Sequence, residues 1–291
     1  MARPVILTVH AHPDDEASKG APTIAKYRSM GAHTVLVCCT GGEEGSILNP
    51  AMDTPEIRAD VAAVRQAELD LAASVIGYEV VERLGYRDSG MPEAPSNDHP
   101  DSFWQADFDD AVEKLVRVIR RERPHVVVTY SDDQRGYQHP DHLKVHDITV
   151  PAFDRAADPE WRPDAGPPWQ PLKLYYTTWS RARMVAMHEK FLELGMESPF
   201  GERLVKRPDN DHRITTQVPI DGFQHARTEG LLAHATQVDP TSPFWFGLPA
   251  EEANSVHPFD DYILARSLVD TEVPESDLFT GVDDLEWQEA E

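Results

Sequence analysis

The sequence predicts an α/β protein: a Rossmann-like open parallel sheet flanked by helices, with a smaller C-terminal α/β lobe. Three observations carry this expectation. Apolar runs without charge recur at residues 5–9, 34–40 and 125–130, as in strands buried on both faces of a parallel sheet. Segments of helical periodicity separate them, and such alternation builds parallel sheets from crossover units. After about Ala157 the texture changes to a run containing Pro159, Trp161, Pro163, Pro167, Pro168, Trp169 and Pro171, which places a boundary near 160–170.

In chain order, residues 5–9 form the first strand, 18–30 suit a helix and 34–40 form the second strand. That second strand holds the only cysteines, Cys38 and Cys39, whose side chains alternate across it and are expected as two buried thiols rather than a bridge. A helical stripe runs through positions 57, 61, 64, 71 and 75, and residues 80–84 read as a third strand. Val112, Leu115, Val116 and Ile119 give 109–121 an amphipathic helix that ends before Pro124, and 125–130 is the next strand. Beyond the boundary, strands are expected at 172–178 and 214–220 and helices at 181–194 and 223–236. Residues 275–291 are acidic with few apolar side chains, which predicts a loosely ordered tail. The expected organisation is a catalytic core over 1–165, a substrate-side lobe over 166–274 and the tail from 275.

With 51 acidic and 27 basic residues the formal charge is −24, which repels nucleic-acid backbones and anionic membrane surfaces. Neither partner is expected. No stretch approaches the ~20 apolar residues of a membrane span, and Met1-Ala2-Arg3-Pro4 leads straight into a strand without a signal peptide's apolar region. A cytoplasmic protein is the expectation, and a homo-oligomer is compatible with it.

Chemistry concentrates in two segments, each directly after a strand. The first reads His12-Pro13-Asp14-Asp15-Glu16 and the second Tyr137-Gln138-His139-Pro140-Asp141-His142. Catalytic zinc takes three protein ligands and leaves a position for water, and His12, Asp15 and His142 fill that quota. Asp14 remains to act as base on the water, although an acidic triplet can equally cap a helix. His139 reads as the group that stabilises a developing oxyanion, with Asp141 orienting its ring and raising its pKa. Tyr137 is either a phenolic donor at the rim or a half-buried loop aromatic. His146, one turn after His142, is set aside as a supporting or core residue. Glu68 falls on an apolar stripe, so Arg65 one turn earlier is either its ion-pair partner or a substrate contact. Lys19, one turn after Asp15, is either solvated or reaches the pocket. The turn Thr40-Gly41-Gly42-Glu43-Glu44-Gly45 carries two glutamates, which argue against a phosphate cradle, and no dinucleotide or serine-nucleophile motif occurs.

Taken as a pair, the two histidine segments resemble the zinc-dependent N-acetylglucosaminyl-inositol deacetylase (LmbE-like) superfamily. Further matches are Leu84-Gly85-Tyr86-Arg87-Asp88-Ser89-Gly90-Met91, Arg65 with Glu68, and Ala233-His234-Ala235-Thr236-Gln237, so the likeness spans nearly the whole chain. Ser18-Lys19-Gly20, residues 47–53, residues 234–240 and Leu278-Phe279-Thr280-Gly281 are most similar to the branch of amidases acting on mycothiol S-conjugates. The resemblance implies one Zn²⁺ per chain on His12, Asp15 and His142, with Fe²⁺ or another divalent ion also accepted by such a donor set. It implies Asp14 as base, His139 at the oxyanion, and Arg65 and Asp88 on sugar or inositol hydroxyls, with Glu43, His234 and Gln237 as further substrate contacts. The implied substrate is a small pseudodisaccharide or its thiol conjugate. Residues 131–135 and Glu44 depart from the amidase pattern, and residues 96–103 resemble the sister deacetylase, which is the alternative activity.

Overall fold

The computed structural model of this chain describes residues 2–206 and 208–287, with the side chains of residues 205 and 206 excepted. Seven strands form a single sheet in the order β3-β2-β1-β4-β5-β7-β6. Strands β1 (Val5–His10), β2 (His33–Thr40), β3 (Val80–Tyr86), β4 (Val126–Tyr130) and β5 (Lys173–Thr178) run parallel. Strand β7 (Phe259–Ser267) joins β5 antiparallel, and β6 (Thr216–Pro219) closes the edge antiparallel to β7. The core strands β1 to β4 are parallel, as expected, and the strands contributed by the C-terminal residues make the whole sheet mixed.

The inner strands β1, β2 and β4 are buried on both sides because helices cover both faces. Leu7, Val9, Val35, Val37 and Val127 pack with residues of α5 (Phe108–Glu122) and α6 (Pro140–Arg155). Ile6, Leu36, Val126 and Val128 point the other way, toward α2 (Ala21–Ser29), α4 (Val61–Ile76) and α9 (His225–Ala233). Cys38 and Cys39 divide between these two faces as buried thiols. Two expected helices are broken. At Gly20, where φ is +95° and a Cβ would meet the Tyr262 hydroxyl at 2.7 Å, the chain separates α1 (Asp15–Ser18) from α2. Asp60 separates α3 (Pro55–Ala59) from α4 and caps the latter by accepting the Ala63 N–H at 3.3 Å.

Among the described residues past 166 there is no second sheet, since β5, β6 and β7 extend the first. They do build a small third core, in which Met184 and Phe191 of α7 (Arg181–Glu193) pack with Phe200, with Leu204 of α8 (Gly201–Lys206) and with Leu248. Phe244 of α10 (Pro243–Phe246) and Ala253 of α11 (Ala250–Val256) pack against that core. The expected loose tail is also corrected over residues 275–287. Lys173 and Glu275 form an ion pair at 2.5 Å with both side chains 0% exposed, and Leu278 and Phe279 are buried beside it. Residues 288–291 lie outside the described residues. No helix among the described residues is long and apolar enough to cross a membrane.

Candidate metal centre and hydrolytic site

Strands β1 and β4 are neighbours, and the order turns outward on either side of them, toward β2 and β3 or toward β5. This is a topological switch point, where loops leaving the carboxyl ends of adjacent strands diverge and open a crevice. Both histidine segments leave β1 and β4 there, which is why residues 129 apart in sequence can touch: His12 Nε2 lies 3.1 Å from Asp141 Oδ2.

His12, Asp15 and His142 converge. Asp15 Oδ2 is 3.3 Å from His12 Nδ1 and 3.2 Å from His142 Nε2, and candidate ligand atoms of all three lie within 4.8 Å of one another. Asp15 Oδ2 also accepts the Tyr130 hydroxyl at 2.7 Å and the His12 N–H at 3.1 Å. Burial opposes ionisation of Asp15, but Lys19, His142 and His12 outweigh it and hold the carboxyl well below the usual range. Burial pushes His142 down to about 4, so its imidazole is neutral, the form that ligates. His12 moves the other way, because Asp141, Asp15 and Asp88 outweigh its burial. Two imidazoles and one carboxylate, set among further carboxylates, fit a divalent cation with an open coordination position. A second group, His12, Asp88, His139 and Asp141, is equally close. The first trio is the one that reaches the main cavity, through Asp15 and His142.

Asp14 stands beside that trio at φ 117° and ψ −23°, a left-handed conformation uncommon for a residue with a side chain. Four contacts hold this turn in place. The Asp14 N–H donates to Glu16 Oε2 at 3.0 Å, Arg65 lies 3.7 Å from the Asp14 carboxylate, and Arg65 donates to the carbonyls of Pro13, at 2.9 Å, and Gly42. Gly42 is required for this, since a Cβ there would fall 2.2 Å from the guanidinium. Burial, followed by the charge of Asp15, raises the Asp14 pKa, which makes it a better proton acceptor.

Several expectations need correction. Asp141 does not orient His139: its carboxylate accepts the Ser89 N–H at 2.9 Å, the Ser89 hydroxyl and the His12 ring, so it orients His12, a candidate metal ligand. His139 instead accepts the Asp141 N–H on Nδ1 at 3.2 Å, which in the neutral ring leaves the proton on Nε2. Its pKa is lowered rather than raised, by burial and by the charge of His12, against which Asp141 pulls in vain. Arg65 does not pair with Glu68, whose carboxylate accepts the Thr236 N–H at 2.7 Å and hydroxyl at 2.6 Å. Nor is Arg65 open to substrate, being 2% exposed. His234 is wholly buried and bonds Glu16 at 2.5 Å, so it cannot meet a ligand.

The other expected positions fall as follows. Asp88 spends its carboxylate on the Gly90 N–H at 2.8 Å, the Glu44 N–H at 3.3 Å and His12 at 3.5 Å. Glu43 accepts the Asp88 N–H at 2.9 Å and lines a separate shallow cleft with Arg87. Lys19 donates to Asp15 Oδ1, and Tyr137 is 54% exposed with its ring edge-on to His142 at 5.2 Å. Both line the main cavity, as does Gln237. His146 bonds the Tyr130 carbonyl at 3.1 Å and supports the site without entering it. Sequence reasoning missed Tyr130, Ser89 and Glu16 as parts of the site. It also missed Trp179, Met184, Phe244 and Trp245, which wall the cavity.

Residues 7–153 match the family described as PIG-L, GlcNAc-PI de-N-acetylase. The chain is 45% identical over 288 residues to the mycothiol S-conjugate amidase of Streptomyces coelicolor, covering 96% of this chain and 97% of that protein. It is 37% identical over 300 residues to the 1D-myo-inositol 2-acetamido-2-deoxy-alpha-D-glucopyranoside deacetylase of Streptomyces scabiei, covering 98% and 91%. Among solved structures, N,N'-diacetylchitobiose deacetylase from Pyrococcus horikoshii shares the fold at TM-score 0.60 and 17% identity, over 89% of this chain and 83% of that one. The 4-carboxy-2-hydroxymuconate hydratase GalB from Pseudomonas putida shares it at 0.58 and 19%, over 92% and 99%, so the fold alone does not fix a reaction. On sequence and site together, the chain belongs to the PIG-L family of GlcNAc-PI de-N-acetylases and is an amide-bond hydrolase.

Proposed function

We propose that the protein hydrolyses the amide of mycothiol S-conjugates, releasing a mercapturic acid and glucosaminyl-inositol, as a cytoplasmic enzyme carrying one zinc ion. The observation that carries this reading is 45% identity along 96% of the chain to an enzyme named for that activity, with an intact His12, Asp15, His142 and Asp14 constellation. Zinc held by the trio supplies Lewis acidity that activates water and polarises a carbonyl.

The remaining steps belong to the chain. Asp14 takes a proton from the attacking water, and its raised pKa suits it to hold that proton. His139, with Nδ1 committed to the Asp141 N–H, offers Nε2–H to the carbonyl oxygen as negative charge develops there. Collapse breaks the C–N bond, the proton on Asp14 passes to the departing amine, and the carbonyl carbon keeps the water oxygen with its remaining proton as a carboxylic acid, which ionises to solvent. Lys19, beside Asp15 on the cavity wall, contacts the cysteinyl arm.

A second reading, deacetylation of N-acetylglucosaminyl-inositol, is supported by relatives of that name at 37–40% identity. The acid released separates the two. Incubation with each substrate is expected to yield an S-substituted N-acetylcysteine faster than acetate, and acetate release alone would overturn the amidase reading.

A further inference from the structure

We infer that the aromatic wall of the main cavity is a subsite for the acyl half of the substrate, and that it takes a large apolar, preferably aromatic, substituent carried on the cysteinyl sulfur. The inference rests on the amidase reading and names what that reading leaves open.

The cavity measures about 510 Å³, and Asp14, Asp15 and His142 stand on its floor. An acetyl group needs space on the order of two waters at ~30 Å³ each, a small part of that volume. A substrate whose acyl half is only acetyl would set solvent, or the hydroxyls of its sugar and inositol, against an aromatic wall that solvates them poorly.

That wall is aromatic and organised, with Arg203 over the Phe244 ring and Arg183 over the Trp179 ring, each at 4.5 Å. The rings of Trp179 and Phe244 are parallel within 7°, with centroids 5.8 Å apart, and Trp245 stands edge-on to both at 5.7 and 4.7 Å. Met184 adds a polarizable side chain suited to irregular apolar groups. The Trp179 indole N–H donates to the Ser18 carbonyl at 3.1 Å, which ties the aromatic corner to the helix that carries Asp15. The distance between wall and reacting centre is thereby fixed by direct contact. Phe244 and Trp245 are only half-buried; Trp179 and the Arg203 guanidinium, at 4.5 Å, flank the Phe244 ring, and Trp245 and Arg203 both line the cavity, a surface that suits an aromatic ligand able to stack and to meet a cation.

Two contrasts assign the occupant. Across Tyr137 lies a smaller cleft of about 180 Å³ whose walls include Asp133, Gln134, Asn210 and Asp211, groups that suit hydroxyls and disfavour an apolar arm. Moreover, all four wall residues lie beyond residue 153, where the match to the family ends. The shared segment thus brings the hydrolytic residues, while the C-terminal residues of this chain shape the pocket for the acyl arm.

The test uses zinc-loaded enzyme and two conjugates that differ only at sulfur, S-methyl and S-benzyl. The expected result is a kcat/KM about tenfold to a hundredfold higher for S-benzyl, the range one apolar group commands in a fitted pocket. Phe244→Ala and Trp245→Ala should shrink that ratio toward unity, chiefly through KM. Phe244→Leu, which keeps the third core packed, serves if Ala unfolds the protein. A second readout needs no turnover: N-acetyl-S-benzylcysteine should quench tryptophan fluorescence and bind at least about tenfold more tightly than the S-methyl analogue. Equal kcat/KM for the two arms, or a ratio untouched by both substitutions, would overturn the subsite while leaving the amidase reading intact. Hydrolysis of N-acetylglucosaminyl-inositol without hydrolysis of either conjugate would overturn both.

Discussion

Replacing Asp14 with asparagine separates catalysis from structure at the site, because the two effects differ greatly in size. Asparagine is nearly isosteric and tolerates a left-handed backbone, so φ 117° and the N–H bond to Glu16 at 3.0 Å survive. The substitution loses attraction to Arg65 across 3.7 Å, on a side chain 34% exposed, and also loses repulsion from Asp15. These oppose each other, and a partly solvated pair is worth no more than about 1 kcal/mol, so Tm should move by no more than about 2–4 °C. The proton acceptor, in contrast, is gone. General-base catalysis contributes about 10²–10⁴ in rate, or roughly 3–5 kcal/mol of barrier at ~1.4 kcal/mol per decade. The expected Asp14→Asn protein therefore holds metal like wild type, unfolds at nearly the same temperature and loses at least about a hundredfold in kcat. Steady-state hydrolysis with metal analysis and a thermal melt on one preparation reads all three. An Asp14→Asn enzyme with more than a tenth of wild-type kcat would refute the assignment of the base.

Three further outcomes follow from buried groups. His234→Ala leaves the Glu16 carboxylate buried without its partner, and the loss is expected at about 3–5 kcal/mol in a urea melt, with KM of the surviving enzyme unchanged. A raised KM with unaltered stability would restore His234 as a substrate contact. Lys173→Met strands Glu275, which keeps the Tyr175 hydroxyl at 2.6 Å and the Thr216 hydroxyl at 2.8 Å but loses its counter-charge. A cost of about 3 kcal/mol or more is expected, largely recovered in Lys173→Met/Glu275→Gln, and an additive double variant would show the pair to be uncoupled. His125 is depressed by burial, and its Nδ1 accepts the Val5 N–H at 3.1 Å. A lowered folded-state pKa means that the unfolded chain binds the extra proton first, so stability should fall as pH drops below about 6.5. His125→Asn should flatten that slope in denaturant melts at pH 7 and pH 5, and an unchanged slope would exclude His125 as its source.

Much of this arrangement could be read along the chain, and the failures have physical causes. Strands β1, β2, β4 and β5 announce themselves because burial on both faces demands uninterrupted apolar runs. Strand β7 escaped because it begins Phe259-Asp260-Asp261, and two buried carboxylates look like loop. Only the folded chain supplies their partners, Thr23 for Asp260, and Ser180, His257 and Gln217 for Asp261. The convergence of His12, Asp15 and His142 was legible because their residue types and their position after two strands are local facts. The partners of those residues were not. Asp141 sits two residues from His139, yet helix α6 turns its carboxylate back to His12 and Ser89, and adjacency in sequence misled. Arg65 and Glu68 share a helical turn, yet each is drawn to a different loop, at Gly42 and at Thr236. The aromatic wall gave no signal at all, since Trp179 and Phe244 come from two separate segments that meet on the third core, while Trp245 packs against the sheet core around Ile6 and Leu36.

The central claim is that His12, Asp15 and His142 hold the ion on which amide hydrolysis depends. Its most direct test is metal content against activity in one series: wild type as purified, wild type stripped by chelator, stripped protein given one equivalent of zinc, and His142→Ala. The account predicts about one ion per chain and full hydrolysis in the first and third, with neither in the second and fourth. Hydrolysis by stripped protein, or by a His142→Ala protein free of metal, would contradict it.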